Sequence, residues 1–373
     1  MKIGCPTELR EDEFRVGLTP TAVKTYVSEG HQVYVQKGAG LGAGFSDESY
    51  QASGAGIMDT APEVWNACDL IVKAEEPLLP ERRLMKEAQI IYASFHFATD
   101  RDLTMACLNR KVTAVAYERI REGDGSLPLL RPMSEIAGSV APLLGAFYLG
   151  RNHGGEGLLI SGVIGVAPGN VLVIGGGVVG SNAARIAAGL GARVTVLDNN
   201  NRTLERLRAT MPPNVVPLHC HRDTLEEALP QADIIIGAVL VTGTRTPKLV
   251  KREDLKIIKK GAVLVDIDID EGGCFESSHP TTHSNPIFIE EGIVHYCVPN
   301  VPGAYAHTAS SALNSRSIKY GLEIAGKGVL TACRDDDAVS YGLTTYEGVI
   351  TSQPLAATLG LEDYYKALDE IIG

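Results

Sequence analysis

Six side chains with useful chemistry fall at the ends of apolar runs in this 373-residue chain. Arg15 lies in the loop after Lys2-Ile3-Gly4-Cys5, and Lys73 and Glu75 end the run Asp69-Leu70-Ile71-Val72. His96 ends Ile90-Ile91-Tyr92-Ala93-Ser94-Phe95, while Asp268 and Asp270 follow the run 262–267. A guanidinium can hold a carboxylate through two parallel hydrogen bonds. An imidazole can carry a proton near neutral pH, and carboxylates can receive an amine. In open parallel sheets ligands bind beyond the carboxyl ends of the strands, so these six are expected to converge. Each also has a plainer reading. Arg15 could neutralise Glu11, Asp12 and Glu13, and Lys73 could run its stem along apolar surface to water. His96, between Phe95 and Phe97, could be a hydrogen-bonded core histidine, and Asp270 could cap the turn before Gly272-Gly273.

A second chemistry is written in Asn170-Val171-Leu172-Val173-Ile174-Gly175-Gly176-Gly177-Val178-Val179-Gly180. This is a strand run followed by a Gly-x-Gly-x-x-Gly turn. Gly175 permits the tight turn, Gly177 lets backbone approach a pyrophosphate, and Gly180 lets helix pack closely on strand. A helix opening at Ser181 would aim free N–H groups at the phosphates. Asp198, closing Arg193-Val194-Thr195-Val196-Leu197, can accept from both ribose hydroxyls. It would repel a 2′-phosphate, which favours NAD over NADP, with Arg202 near enough to soften that preference. Gly38-Ala39-Gly40-Leu41-Gly42-Ala43-Gly44 is also glycine-rich, but no acid closes a following strand, so it reads as a flexible loop.

These residues must be positioned by sheets. In the second half, strands are expected over 171–174, 193–197, 215–218, 233–237, 262–267 and 294–298, with helices over 181–190, 202–210 and 224–229. In the first half, strands are expected over 2–5, 32–36, 70–73, 90–94 and 113–116. Helices there are expected over 20–28, with Thr19 as N-cap and Pro20 first, and over 61–67 and 102–109. Long apolar helices near 134–149 and 309–325 should carry the chain between the halves. The expected fold class is α/β, with two Rossmann-like doubly wound parallel-sheet domains joined by long helices. A discontinuous substrate domain would take residues 1–128 plus 306–373 and a nucleotide domain residues 129–305, with a cleft between the sheets.

The bulk properties narrow the function. Hydrophobic residues at 45% and charged ones at 21% fit an ordinary globular protein, and a net charge of −11 argues against a nucleic-acid partner. Seven cysteines without a Cys-x-x-Cys pair suggest neither a zinc ribbon nor a disulfide framework and fit a reducing compartment. No signal core and no membrane-length apolar run is visible, so a soluble, cytoplasmic protein is expected. No metal is expected. In His219-Cys220-His221 neighbouring side chains point to opposite faces, and Pro280 disfavours the helix that His279 and His283 would need.

With these residues in view, the chain resembles the alanine dehydrogenase family over essentially its whole length. The resemblance is carried by Gly4-Cys5-Pro6-Thr7-Glu8, Glu13-Phe14-Arg15-Val16, Leu129-Leu130-Arg131-Pro132-Met133-Ser134-Glu135 and Gly175–Gly180. Further support comes from Gly237-Ala238-Val239-Leu240-Val241, Pro247-Lys248-Leu249-Val250 and the stretch Asp266 to Cys274. It implies reversible oxidative deamination of L-alanine to pyruvate and ammonium, with NAD as cofactor and a homo-oligomer, a hexamer, as the assembly. By position, Arg15 would clamp the substrate carboxylate and His96 would be the general acid–base. Asp270 would bind the amino or carbinolamine group and touch the nicotinamide ribose. Ser134, Val178, Val179, Asp198, Cys220, Val239, Leu240, Ile267, Val298 and Val301 would contact NAD. The related proton-pumping transhydrogenase shares the fold, which leaves an NAD(H)-binding module without a substrate pocket as the competing class; the presence of His96 counts against it.

One departure stands out. The family usually reads Lys-x-Lys-Glu-Pro at the end of the third strand, where the second lysine contacts substrate; here the run is Lys73-Ala74-Glu75-Glu76-Pro77. A carboxylate at 75 would repel pyruvate by roughly several kcal/mol in a dry cleft. Three outcomes are open. Lys73 swings in to replace the missing ammonium; Glu75 binds a cationic group, favouring a different amino or imino acid, or alters amine delivery; or the pocket is weak.

Overall fold

The computed structural model describes residues 1–239 and 246–372. The chain divides into two compact units, Met1–Met133 with Gly303–Gly373, and Ser134–Pro302. The strands among the described residues are β1 (Lys2–Cys5), β2 (Gln32–Gln36), β3 (Gly56–Met58), β4 (Leu70–Val72), β5 (Ile90–Ala93), β6 (Thr113–Ala116), β7 (Asn170–Ile174), β8 (Arg193–Asp198), β9 (Val215–His219), β10 (Ile234–Gly237), β11 (Val263–Asp266), β12 (Ile287–Glu290), β13 (Ile293–Tyr296), β14 (Leu343–Tyr346) and β15 (Val349–Ile350).

In the first unit the sheet runs β15-β14-β6-β5-β4-β1-β2-β3, with β1 to β6 parallel and β14 and β15 added antiparallel beyond β6. Its strands read as continuous apolar runs because both faces are covered. Leu70 and Val72 join Ile3, Val33 and Val35 in one core, while Ile71 faces the other with Ile91, Ala114 and Trp65. Each such buried aliphatic contributes about 1.5–3 kcal/mol. Helix Pro20–Ser28 covers the first face with Ala22, Val23 and Tyr26, and Thr19 caps it by accepting from the Ala22 amide. The tail joins the same sheet, Leu343 lying opposite Val115.

The second sheet runs β12-β13-β11-β10-β7-β8-β9, with only β12 antiparallel. Val171 and Val173 face one core and Leu172 and Ile174 the other. The molecule is thus an α/β protein with two mixed, mostly parallel sheets, each reversing strand order at one place, between β1 and β4 and between β7 and β10. Long helices span Arg131–Tyr148 and Ala306–Lys327, and among the described residues no helix is long and apolar enough to cross a membrane.

The structure departs from the sequence expectation in three places. Strands β3, β12, β14 and β15 were absent from it; all are short and lie at or beside a sheet edge, where burial leaves little alternation to read. The glycines of 38–44 do not form a flexible loop but a short 3-10 turn, Leu41–Ala43. Gly40 lies so close to Tyr50 that a side chain there would strike its ring, and the Tyr50 hydroxyl donates to the Leu18 carbonyl at 2.7 Å. The helix after the glycine turn opens at Val178, not Ser181, with Gly177 as its cap.

Candidate active site

In the first unit the charged residues gather beyond β1, β4, β5 and β6. The Arg15 loop is pinned from behind by helix Ala306–Lys327. Ser310 Oγ accepts from the Val16 amide at 3.0 Å, and Asn314 accepts from the Thr19 amide at 2.8 Å and donates to the Gly17 carbonyl at 2.9 Å. Glu13 then orients the guanidinium, taking Arg15 Nε at 2.8 Å and Nη2 at 2.5 Å. Nη2 also donates to Glu75 Oε1, and Nη1 reaches Met133 Sδ at 3.3 Å. Burial alone would lower the Arg15 pKa, but the hydrogen bonds of Glu13 and the charges of Glu75 and Glu13 push it above its ordinary value.

His96 follows β5 in a left-handed conformation, φ 51°, that a non-glycine residue adopts at a cost. Glu118, just past β6, holds it there by accepting from the Phe95 and His96 amides at 3.2 and 3.0 Å. The ring, 48% exposed, meets Glu75 Oε2 through Nε2 at 3.1 Å. Glu75 therefore bridges Arg15 and His96, with Arg10 Nη1 at 3.8 Å and Arg10 Nη2 on Glu76 at 2.7 Å. Burial works against both charges of the Glu75–His96 pair. It is outweighed for Glu75 by Arg15 and His96, which hold the carboxyl well below the usual range, and for His96 by Glu75, Glu118 and Glu76, which push the imidazole up to about 9.

Lys73 does not join this group. It is completely buried, and its ammonium lies 2.9 Å from both Glu8 Oε2 and Glu81 Oε1. Swinging toward substrate would strand two buried carboxylates, which counts against the one of the three outcomes in which Lys73 replaces the missing ammonium.

In the second unit the expected nucleotide residues share the carboxyl edge of the sheet. Gly175 follows β7, Asp198 ends β8, Cys220 follows β9, Val239 lies just past β10, Ile267 follows β11 and Val298 lies past β13. Gly175 has φ 98°, and a side chain there would collide with the Ala238 carbonyl; at Gly180 it would overlap the Gly175 carbonyl oxygen. Around Gly177 there is open space, and no side chain caps the helix Val178–Gly189, so its first amides remain available to an anion. Asp198 accepts from the Gly176 and Asn200 amides at 2.7 Å each, leaving lone pairs on both oxygens for hydroxyls. These features fit a dinucleotide. Val178 and Val179 open the helix, Ser134 lies in the first turn of Arg131–Tyr148, Val301 begins the 3-10 turn Val301–Tyr305, and Leu240 lies outside the described residues.

Asp270 is exposed in the turn Ile269–Glu271 and accepts from the Asn300 amide at 3.2 Å. Its neighbour Asp268 is buried and holds the Val239 amide. Desolvation and the charges of Asp266, Asp270 and Glu271, against that hydrogen bond, push it up to about 7. Asp266, Asp268 and Cys274 cluster, as do Glu75, Glu76 and His96, but backbone amides or arginines already hold these carboxylates. Sequence reasoning missed Glu118 and Arg10. The strand-end rule would have found Glu118, and Glu13 is one of the three acids that Arg15 was expected to neutralise, without its orienting role.

The alanine dehydrogenase/PNT N-terminal domain model matches residues 4–137 and the C-terminal domain model residues 141–353. The chain is 44% identical to the alanine dehydrogenase of Mycolicibacterium smegmatis over 361 residues, 97% of each chain. The chain belongs to the alanine dehydrogenase/PNT family. A solved L-alanine dehydrogenase superposes with a TM-score of 0.94 at 41% identity, covering 96% of this chain and 99% of that one. The transhydrogenase of Sinorhizobium meliloti gives 0.83 at 23% identity over 94% and 100%, a likeness of fold alone. Membership in the family accounts for the two domain models meeting near helix Arg131–Tyr148.

Proposed function

We propose that the chain is an NAD-dependent oxidoreductase on CH–NH2 donors that interconverts L-alanine with pyruvate and ammonium. Met1–Met133 with Gly303–Gly373 would act as the substrate domain and Ser134–Pro302 as the nucleotide domain. Bound NAD would supply the hydride acceptor. Gly175, Gly177 and Gly180 with the opening amides of Val178 and Val179 would hold its phosphates, and Asp198 its ribose. Ser134, Cys220, Val239, Ile267, Val298 and Val301 would line the remainder.

The chain's own residues divide the acid–base work. Arg15, oriented by Glu13, takes the substrate carboxylate. His96 Nε2 removes a proton from the water that attacks the imine carbon to give the carbinolamine, and in the opposite direction returns it to the hydroxyl that leaves the carbinolamine as water. Asp270 receives the amino group. The observation that carries this reading is that Arg15 and His96 both reach one carboxylate, Glu75, a spacing suited to a small acid. NADH oxidation should require pyruvate and ammonium together. Transfer to a nicotinamide analogue without any keto acid would instead indicate the transhydrogenase-like module.

Glu75 in place of a lysine favours one second reading, a preference for another amino or imino acid, which kcat/KM across a keto-acid and amine panel decides. A cytoplasmic location is supported by the seven unpaired cysteines. Self-association is supported by exposed apolar residues on the hairpin carrying Val163, Ile164 and Val166, and the number six by the family resemblance alone. Light scattering tests that assembly.

A further inference from the structure

The carboxylate of Glu75 takes the partners that the carboxylate of a substrate is proposed to take. One oxygen accepts from Arg15 Nη2 and the other meets His96 Nε2 at 3.1 Å, with the side chain only 7% exposed. Among the described residues, the charged groups around it are Arg10, Glu13 and Arg15 from the loop after β1, adjoining Glu76, His96 beyond β5, and Glu118 behind His96. Arg10, Arg15 and protonated His96 stand against Glu13, Glu75, Glu76 and Glu118, three positive charges against four negative ones. A lysine at position 75 would leave this group positive and ready for an anion. With Glu75, a monoanion arrives beside a like charge and must compete for Arg15.

We propose that Glu75 is a built-in occupant of the substrate-carboxylate position and is the residue that sets how weakly this site takes a small monoanionic keto acid. The proposal rests on the reading of Arg15 and His96 as the substrate's partners. A cation on Glu75 is not required by the geometry, since Arg15, His96 and Arg10 already serve it.

The test is calorimetric titration of pyruvate and of pyruvamide, its uncharged analogue, into the NADH-bound protein without ammonium. In the wild type, pyruvate should bind less than about tenfold more tightly than pyruvamide, because its charge meets Glu75. Glu75→Gln keeps the shape and removes the charge; it should tighten pyruvate by about tenfold and leave pyruvamide within about twofold. Damage to a merely structural residue weakens binding, so a gain is specific to competition. A wild-type preference for pyruvate above about tenfold, or a variant that binds pyruvate less than about threefold tighter, overturns the proposal. Should the variant fail to fold, the wild-type pair of ligands decides alone. NADH oxidation with pyruvate plus ammonium separates the two ideas. Tightened pyruvate without turnover in either protein sinks the dehydrogenase reading and keeps the Glu75 assignment; turnover with unchanged pyruvate affinity does the reverse.

Discussion

The nucleotide end of Ser134–Pro302 and the charged end of the Met1–Met133 unit obey the same strand-end rule but are built from different material. At β7 and β8 the groups offered to a ligand are glycine backbone, the first amides of a helix, and one carboxylate held by two amides. At β1, β4 and β5 they are long charged side chains that pair with one another. A backbone site is organised by covalent geometry and stays open. A site of opposite charges pairs with itself, so its affinity is a difference between two sets of ion pairs. On the proposed reading, recognition of the dinucleotide is set by what fits, and recognition of the acid by what must be displaced.

The sharpest way to break this contrast is Gly180→Val. Its side chain would overlap the Gly175 carbonyl oxygen, so helix and strand must separate. We expect loss of measurable NADH binding in a fluorescence titration and destabilisation on the order of 5 kcal/mol. Retained NADH affinity with an unchanged Tm would mean that backbone approach does not govern that end. At the charged end, Lys73→Met removes the cation shared by Glu8 and Glu81 and should cost about 3 kcal/mol in urea unfolding. Were Lys73 the substrate's missing ammonium instead, pyruvate KM would rise while the unfolding midpoint stayed put.

The same contrast explains what could be read in the sequence. Gly175, Gly177, Gly180 and Asp198 were legible because each answers a local steric or hydrogen-bonding demand that spacing alone expresses. The parallel strands were legible because burial on both faces makes continuous apolar runs such as Leu70-Ile71-Val72. Edge strands such as Val349–Ile350, two residues long, carry no such signal. Arg15, His96 and Asp270 could be named as candidates, but of their partners only Glu13, a near neighbour of Arg15 in sequence, was in view. Whether Lys73 faces Glu8 and Glu81 or the substrate depends on contacts 65 residues away in sequence, which no local pattern records. The helix beyond Gly177 opened one turn early for a related reason: its first turn is Val178-Val179-Gly180, weak helix formers whose placement follows from the fingerprint's packing.

The smallest expected effect tests the pairing at the charged end most directly. Glu75 pushes His96 up to about 9, against the effect of burial, so the imidazole is cationic at neutral pH. Following the His96 ring by NMR should place its titration near pH 9, and Glu75→Gln should bring it back to or below the ordinary histidine value. On the proposed role of His96, deamination needs the neutral ring as base, so its rate should climb as pH rises through about 9, while reductive amination, which needs the cation, declines over the same range. The stability consequence has a definite sign. Because the folded-state value is raised, the contribution is fully present below the unfolded value near 6.5 and is lost as pH rises through about 9. With the ring half exposed, it amounts to less than about 1 kcal/mol. Urea midpoints of the wild type and His96→Gln should therefore converge at about pH 10 and separate at about pH 6. Midpoints that separate only on the alkaline side would show that Glu75 does not hold the imidazolium, and the charged end would then not be paired with itself.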